Sequence, residues 1–119
     1  MTNNTNQMMR VAETIRSQIH PHVLMCSASR NFGAYENEQG LYGIQFKISN
    51  TSKYKFATVR ITLNGSDLYD IEIKNIRGRT VESKTDIYCD QLSSILESMW
   101  EKKEILKRWE SKQVNFGGQ

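Results

Sequence analysis

Apolar residues near the start of the chain recur at the spacing of a helix. The set is Met8, Val11, Ala12, Ile15 and Ile19. Their spacing places them on one face of an amphipathic helix. Asn4 or Thr5 can cap its start, and His20-Pro21 ends it, because proline disfavours the helical conformation in the residue before it.

The middle of the chain alternates between apolar and polar positions, which is typical of half-buried strands. We predict strands at His22–Phe32, Tyr42–Ile48, Ala57–Leu63 and Tyr69–Ile73. A polar loop at Gly33–Gly40 and a turn at Asn50–Lys53 separate the first three of them. The short connections indicate an antiparallel meander of about four strands.

The last two predicted strands form a hairpin, VRITLNGSDLYDIEIKNIRG, whose loop length fixes its register. Both apolar rows stay on one face only if the loop has an odd number of residues. A three-residue loop, Asn64–Ser66, puts Arg60 opposite Asp70, and a five-residue loop puts it opposite Glu72. In both cases the carboxylates lie on the open face beside basic side chains, which indicates solvated ion pairs rather than acid–base chemistry.

From Thr85 onward the pattern predicts a helix that covers the inner face of the sheet. Its apolar stripe is Tyr88, Leu92, Ile95, Leu96 and Met99. A helix from Asp86 to Glu110 is about 37 Å long, whereas about four strands span only 15 to 20 Å. The sequence therefore predicts an α+β fold in which a long C-terminal helix extends beyond one face of its own sheet.

The predicted overhang carries large apolar side chains that are costly to leave in water. They are Trp100, Ile105, Leu106 and Trp109. We expect them to form a protein interface, with a homo-oligomer, most simply a dimer, or another protein as the partner. The alternative is that the helix bends near Lys102 and folds back on the first helix.

The length of 119 residues fits one domain. We expect a flexible N-terminus at 1–6, a single α+β domain at 7–112 and a flexible tail at 113–119. No apolar run reaches the roughly 18 residues that span a bilayer. The polar start also lacks the apolar stretch of a secretory signal, so we expect a cytoplasmic protein with no membrane partner.

Signatures of catalysis are missing from the pattern. Cys26 and Cys89 lie far apart and match no metal spacing, so we predict two small buried hydrophobic residues without a disulfide. His20 and His22 flank Pro21 but have no evident third ligand, and we interpret them as helix-end residues. No serine lies in a nucleophile-elbow motif. The sequence predicts no enzyme, no cofactor, no metal and no small-molecule substrate.

Basic residues gather at the predicted loop ends. The candidates for phosphate binding are Arg30, Lys74, Arg77, Arg79 and Lys84. Arginines next to Gly78 at a strand exit would let the backbone approach an anion and bind phosphate bidentately. Sequence-independent binding of DNA or RNA is therefore the alternative function, and a merely solvated turn stays open beside it. The net charge of +3 permits a polyanion without requiring one.

Several stretches together resemble a group of small proteins encoded by bacterial and phage genomes. They are TIRSQI, SASRNF, VRITLNGSDLYDIEIKNIRG and YCDQLSSIL. The recurring pattern is Lys/Arg-Asn-Phe, Val-x-Ile-Thr-Leu, Asp-x-Tyr-Asp-x-Glu, Ile-Arg-Gly and Tyr-x-Asp-x-Leu, and the resemblance covers roughly Val11 to Met99. The group has no established activity, so the resemblance implies a phage or mobile-element product acting in the host cytoplasm rather than a mechanism.

The order helix, strands, helix also looks like the double-stranded-RNA-binding fold, which is an analogy of fold only. That family has a lysine-rich start to its last helix, whereas Thr85–Asp90 is acidic here. The leading interpretation is thus a non-enzymatic binding protein that acts through protein contacts of its C-terminal helix.

Overall fold

The computed structural model describes residues 2–49 and 51–101. These residues form two layers, an antiparallel sheet and a helical layer that covers one of its faces. The helices are α1 (Thr2–Ser17), α2 (Pro21–Cys26) and α3 (Leu92–Trp100), the last preceded by a 3-10 turn at Cys89–Gln91. The strands are β1 (Arg30–Glu36), β2 (Tyr42–Ser49), β3 (Phe56–Leu63), β4 (Tyr69–Lys74) and β5 (Thr80–Ile87), and they lie side by side in chain order. The α+β class and the antiparallel meander are therefore confirmed, with five strands instead of about four.

Helix α1 follows from the apolar spacing near the start of the chain. Ala12 and Ile15 of α1 and Ile19 just after it are buried, and α1 packs mainly on β1 and β2. The helix begins at Thr2, so Asn4 and Thr5 lie inside it rather than at its start. Its first turns occupy the segment expected to be a flexible lead-in.

The prediction of a strand from His22 was wrong, because this segment begins with the short helix α2. Pro21 occupies the first turn, where proline is tolerated, and the His20 ring Nδ1 accepts the His22 amide at 3.1 Å. The buried residues of this segment, Val23 and Ser27, are four apart as on one face of a helix, whereas Cys26 is exposed. Strand β1 starts only at Arg30 and runs to Glu36, through half of the predicted polar loop.

Strands β2, β3 and β4 are confirmed, and their register resolves the open choice in the hairpin. Arg60 pairs with Glu72, and Thr62 pairs with Asp70. The connection between β3 and β4 therefore has five residues, Asn64–Leu68, and both apolar rows remain on the helical side.

Three hairpin loops are built on one plan. Each has five residues and begins with asparagine: Asn37–Leu41, Asn64–Leu68 and Asn75–Arg79. The asparagine Oδ1 accepts the backbone amides two and four residues further on at 2.8 to 3.2 Å. The fourth residue is left-handed, with φ between 60° and 81°. Asn side chains favour such turns because they replace backbone hydrogen bonds.

Strand β5 was missed because it is an edge strand with a polar sequence. Of its eight residues only Ile87 is buried. The pairing with β4 shifts register twice, near Val81 and near Asp86, and Asp86 has φ 56°. Bulges of this kind blunt an edge strand against pairing with other chains.

The long C-terminal helix was also wrong in its extent. The region from Thr85 first completes β5, and α3 then runs only from Leu92 to Trp100. Glu101 has an extended backbone (φ −108°, ψ 142°), so the helix ends there. The stripe of Leu92, Leu96 and Met99 is buried as predicted. The helix covers its own sheet instead of extending past it within the described residues.

The core lies between the sheet and the helices. The helical side contributes Ala12, Ile15, Ile19, Val23, Leu92, Leu96, Met99 and Trp100. The sheet contributes Ile44, Phe46, Ile48, Ala57, Val59, Ile61, Tyr69, Ile71, Ile73 and Ile87. Because the described helices lie on this side, no element within residues 2–49 and 51–101 covers the opposite face of the sheet. The open face is defined here by the alternate residues of β1–β5 that point away from the core.

Candidate functional site

The open face is arranged in rows that cross the strands. One row runs from Arg30 through Lys47 and Thr58 to Lys74. The next row runs from Gln45 through Arg60 to Glu72, and a third from Tyr35 through Gly43 and Thr62 to Asp70. The rows change in sign from basic at one end of the face to acidic at the other.

Four cations line one concavity at the basic end. They are Arg30, Lys47, Arg60 and Lys74. The concavity measures about 450 Å³ and has no carboxylate among the residues that line it. Cations that share a surface without intervening acids raise the local concentration of anions. This is the strongest accumulation of one sign of charge on the open face.

Lys47 and Lys74 flank Thr58 in the basic row. Both pair with Thr58, one from each side, so they lie about 10 Å apart at the usual strand spacing. Lys47 is exposed and has no ion pair within the described part of the chain. Lys74 has one distant carboxylate, with 3.8 Å between its Nζ and Glu72 Oε1. Such a contact leaves the ammonium group free to bind elsewhere.

The two arginines are held in place by neighbouring groups. Arg30 Nη1 donates to the Ala28 carbonyl at 3.2 Å and to Ser49 Oγ at 2.9 Å. Arg60 Nε donates to Gln45 Oε1 at 2.6 Å. Each guanidinium has further N–H groups, so these bonds orient the planar fork and leave donors for a phosphate oxygen.

Tyr35 shapes the face beside Arg60. Its phenol reaches across Gly43 to form a hydrogen bond with Thr62, and the Arg60 guanidinium lies 5.3 Å from the ring centroid. Burial raises the pKa of the Tyr35 phenol above its usual 10.0. The ring is therefore a neutral support for Arg60 and adds no negative charge to the face.

Two exposed apolar side chains also line the basic concavity. Phe56, the first residue of β3, is 55% exposed, and Ile76 in the last hairpin loop is 81% exposed. Ala57 is buried in the core, so Phe56 points to the open face by alternation. Phe56 and Lys47 were not among the predicted site residues, although their alternation with buried Ala57, Phe46 and Ile48 places them on this face.

Arg77 and Arg79 lie at the tip of the last hairpin and are exposed. The expected backbone approach at Gly78 is not available. The amides of Arg77 and Arg79 both donate to Asn75 Oδ1 at 3.0 Å, and the Gly78 amide donates to the Asn75 carbonyl at 2.9 Å. These three amides are therefore engaged within the loop, and the arginine side chains remain as donors to an anion.

Lys84 does not line the basic concavity. It pairs with Ile71 on edge strand β5 and lines a broad depression at the acidic end of the face, together with Lys74. Of the five predicted phosphate-binding residues, Arg30 and Lys74 line the concavity, and Arg77 and Arg79 lie on the loop that borders it.

The acidic end of the face is occupied by structural hydrogen bonds. Asp70 Oδ1 accepts from Asn64 Nδ2 at 2.9 Å and from the Asp86 amide at 3.1 Å. Glu72 Oε2 accepts from Thr80 Oγ1 at 2.7 Å. Both carboxylates line a broad depression of about 570 Å³ together with Arg60 and Lys74. Both carboxylates lie on the open face as predicted, but of the expected ion pairs the described residues contain only the 3.8 Å contact of Glu72 with Lys74.

Trp100 does not belong to an exposed interface. Its side chain is 2% exposed and lies in the core, and its carbonyl accepts the Lys53 amide at 3.1 Å. The premise that this indole needs cover from outside was wrong, because α3 ends beside the sheet. Ile105, Leu106 and Trp109 lie outside the described residues, so contacts with a partner there stay a prediction.

His20, His22 and Cys26 form a small exposed cluster at α2. His20 caps α2, which agrees with its interpretation as a helix-end residue. Cys26 Sγ lies 3.4 Å from His22 Nε2, and both Cys26 and Cys89 are exposed, so their predicted burial was wrong. Within residues 2–49 and 51–101, no three His, Cys, Asp or Glu side chains come together as a metal site.

Comparison with known proteins adds no relative. No protein-family model, no curated protein and no solved structure matches this chain. The resemblance to small phage and bacterial proteins therefore stays a prediction. Among the described helices, none is both long and apolar enough to cross a membrane.

Proposed function

We propose that the protein is a non-enzymatic binding protein that holds a nucleic acid by its phosphate backbone on the open face. The observation that carries the proposal is the basic concavity, where four cations and no carboxylate share about 450 Å³. Phosphate contacts from Arg and Lys supply most of the affinity in sequence-independent binding.

The spacing of the cations favours a polyanion over a single small anion. Arg30, Lys47 and Lys74 lie on β1, β2 and β4 of one row, which spans about 15 Å at the usual strand spacing. A single phosphate would need donors that converge on one point. A chain of phosphates instead meets cations one after another, as this row provides them.

The acidic end of the face gives the ligand a boundary. Asp70 and Glu72 lie one or two rows away from the basic row. Like charges repel a phosphate backbone, so it would follow the basic row and avoid the third row. If the carboxylates set this boundary, the face can bind a polyanion without a large net positive charge.

Salt dependence and one charge deletion test the proposal. With about four phosphate contacts, the logarithm of affinity should fall with the logarithm of salt concentration with a slope of about −3. Lys47→Ala should weaken binding for every sequence and reduce the slope by about 0.7 to 0.9. Fluorescence anisotropy with labelled DNA and RNA across a salt series measures both quantities.

Arg10→Ala is the matched control, because it removes one exposed positive charge from α1 on the helical side. It should leave the slope unchanged. The proposal fails if neither DNA nor RNA binds at low salt. It also fails if Arg10→Ala weakens binding as much as Lys47→Ala, since that would show only an effect of total charge.

A further inference from the structure

We infer that the ligand of the open face is a single strand, with an unpaired base stacked on Phe56. This inference rests on the proposed function and adds the class of nucleic acid. It starts from the phenyl ring of Phe56, which lies among the cations. Binding of phosphates does not require such an apolar ring.

Phe56 is exposed without a structural reason in the described residues. The residue is 55% exposed, it begins β3, and its strand partner is Ser49. Burying a phenylalanine side chain is worth about 1.5 to 3 kcal/mol relative to leaving it in water. In the core, Phe46 stacks with the partly buried Phe32, with 5.1 Å between the ring centroids. Phe56 does not belong to this aromatic pair.

The ring shares the concavity with the backbone-binding groups. Phe56 and Thr58 are alternate residues of β3, and Thr58 lies between Lys47 and Lys74. A phosphate held by this row therefore places its own sugar and base within reach of the ring, one row away. Stacking of a base on an aromatic side chain contributes about 1 to 3 kcal/mol and tolerates any base.

Ile76 extends the apolar part of the site. It lies in the loop after β4, is 81% exposed, and lines the same concavity as Phe56. A base lying flat on the phenyl ring has one face left, and an aliphatic side chain at the border of the concavity can shield it from water. Neither side chain has a charge or a hydrogen-bond donor for a phosphate.

A duplex could not use these side chains. Its bases are stacked on each other and paired, so a surface ring gains no stacking without opening the helix. The concavity lies among side chains on a sheet, whereas major-groove readers insert a helix or a two-stranded ribbon. Sheets that combine exposed aromatic rings with cations bind unpaired bases in common RNA-binding modules. The acidic segment before α3, with Asp86 and Asp90, also lacks the cations for duplex phosphates.

The experiment compares three ligands of equal backbone length, about 12 nucleotides each. They are a single strand of dT or rU, the corresponding duplex, and an abasic single strand that keeps every phosphate and loses every base. We expect the single strand to bind at least about tenfold more tightly than the duplex. Phe56→Ala should weaken single-strand binding by about 5-fold to 100-fold and leave abasic binding unchanged.

Tyr88→Ala is the matched control, since Tyr88 is 59% exposed and does not line the concavity. It should leave single-strand affinity unchanged, and unfolding curves of both variants check that they fold. The inference is overturned if the duplex binds as tightly as the single strand, or if Phe56→Ala acts equally on the abasic strand. Binding that still depends on salt and Lys47 would then leave the proposed function intact. Absence of all binding would overturn both.

Discussion

At the scale of single residues, the hairpin loops show how one side chain sets a backbone. Asn37, Asn64 and Asn75 each accept two amides and leave the fourth loop residue in the left-handed region. That residue is Gly40, Asp67 or Gly78. Asn75 Oδ1 thereby engages the amides of Arg77 and Arg79 at the basic hairpin tip, and these two amides are not free for another acceptor.

Two glycines in these loops give a matched pair of substitutions. Gly78 has φ 81°, and no atom lies within 4 Å of the position that an added methyl group would take, so Gly78→Ala tests the backbone conformation alone. The left-handed conformation costs a non-glycine residue about 1 to 2 kcal/mol, and we expect that loss of stability. Gly65 has an equally open position and no left-handed φ. Gly65→Ala should be neutral or stabilise by up to about 1 kcal/mol.

Urea unfolding of the two variants measures this difference. Equal losses of stability in Gly65→Ala and Gly78→Ala would contradict the loop geometry, because only one of the two positions requires glycine.

At the scale of elements, the sequence predicted those strands and helices that face the core on one side. β2, β3 and β4 alternate cleanly because Ile44, Val59 and Ile71, among others, pack under the helices. β5 has no such pattern, since an edge strand with one buried residue gains little from apolar side chains. The sequence also did not predict where α3 ends. Its apolar pattern continues past Glu101, although the backbone leaves the helix at this residue.

The candidate site was predicted only in part for a related reason. Alternation placed Arg60, Asp70 and Glu72 on the open face, and this was confirmed by the register. It could not bring Arg30 and Lys74 into one concavity, because their approach depends on the pairing of four strands and on a bulge near Asn31. Residues that are far apart in sequence can be placed in one site only after the pairing register of each strand between them is known.

The approach of β2 to β3 at Gly43 gives a prediction for the sheet. A Cβ at this position would lie 2.1 Å from the Ile61 carbonyl oxygen, which is backbone and cannot turn away. Gly43→Ala should therefore destabilise the fold by about 1 to 3 kcal/mol, the usual cost of overpacking. It should also disturb the hydrogen bond of Tyr35 with Thr62, which crosses Gly43.

Thermal unfolding and amide exchange of β2 and β3 measure the effect. Gly33→Ala is the control, because no atom lies within 4 Å of its Cβ position. A Gly43→Ala variant as stable as the parent protein would mean that the two strands do not approach in this way.

At the scale of the whole molecule, Trp100 distinguishes a self-contained fold from one completed by a partner. Its indole is buried with Leu96 and Met99, and its carbonyl ties the end of α3 to the Lys53 amide. Tyr54 next to it donates to Glu82 Oε1 at 2.6 Å, which joins the same segment to β5. The end of α3 thus links the helical layer to the edge of the sheet within one chain.

Trp100→Ala should therefore behave as a core truncation. Removing a buried tryptophan costs about 3 to 5 kcal/mol, a large share of the stability of a domain of this size. Because the cavity lies inside each chain, the loss should be the same at every protein concentration. An interface residue would instead lower the mass seen by light scattering and make stability depend on concentration. Circular dichroism measures unfolding over a hundredfold range of protein concentration. Light scattering at the lowest and the highest concentration measures the mass, and together the two measurements separate these outcomes. If Trp100→Ala is stable but has a smaller mass in solution than the parent protein, Trp100 lies in an interface between chains. That result would contradict its place in the core.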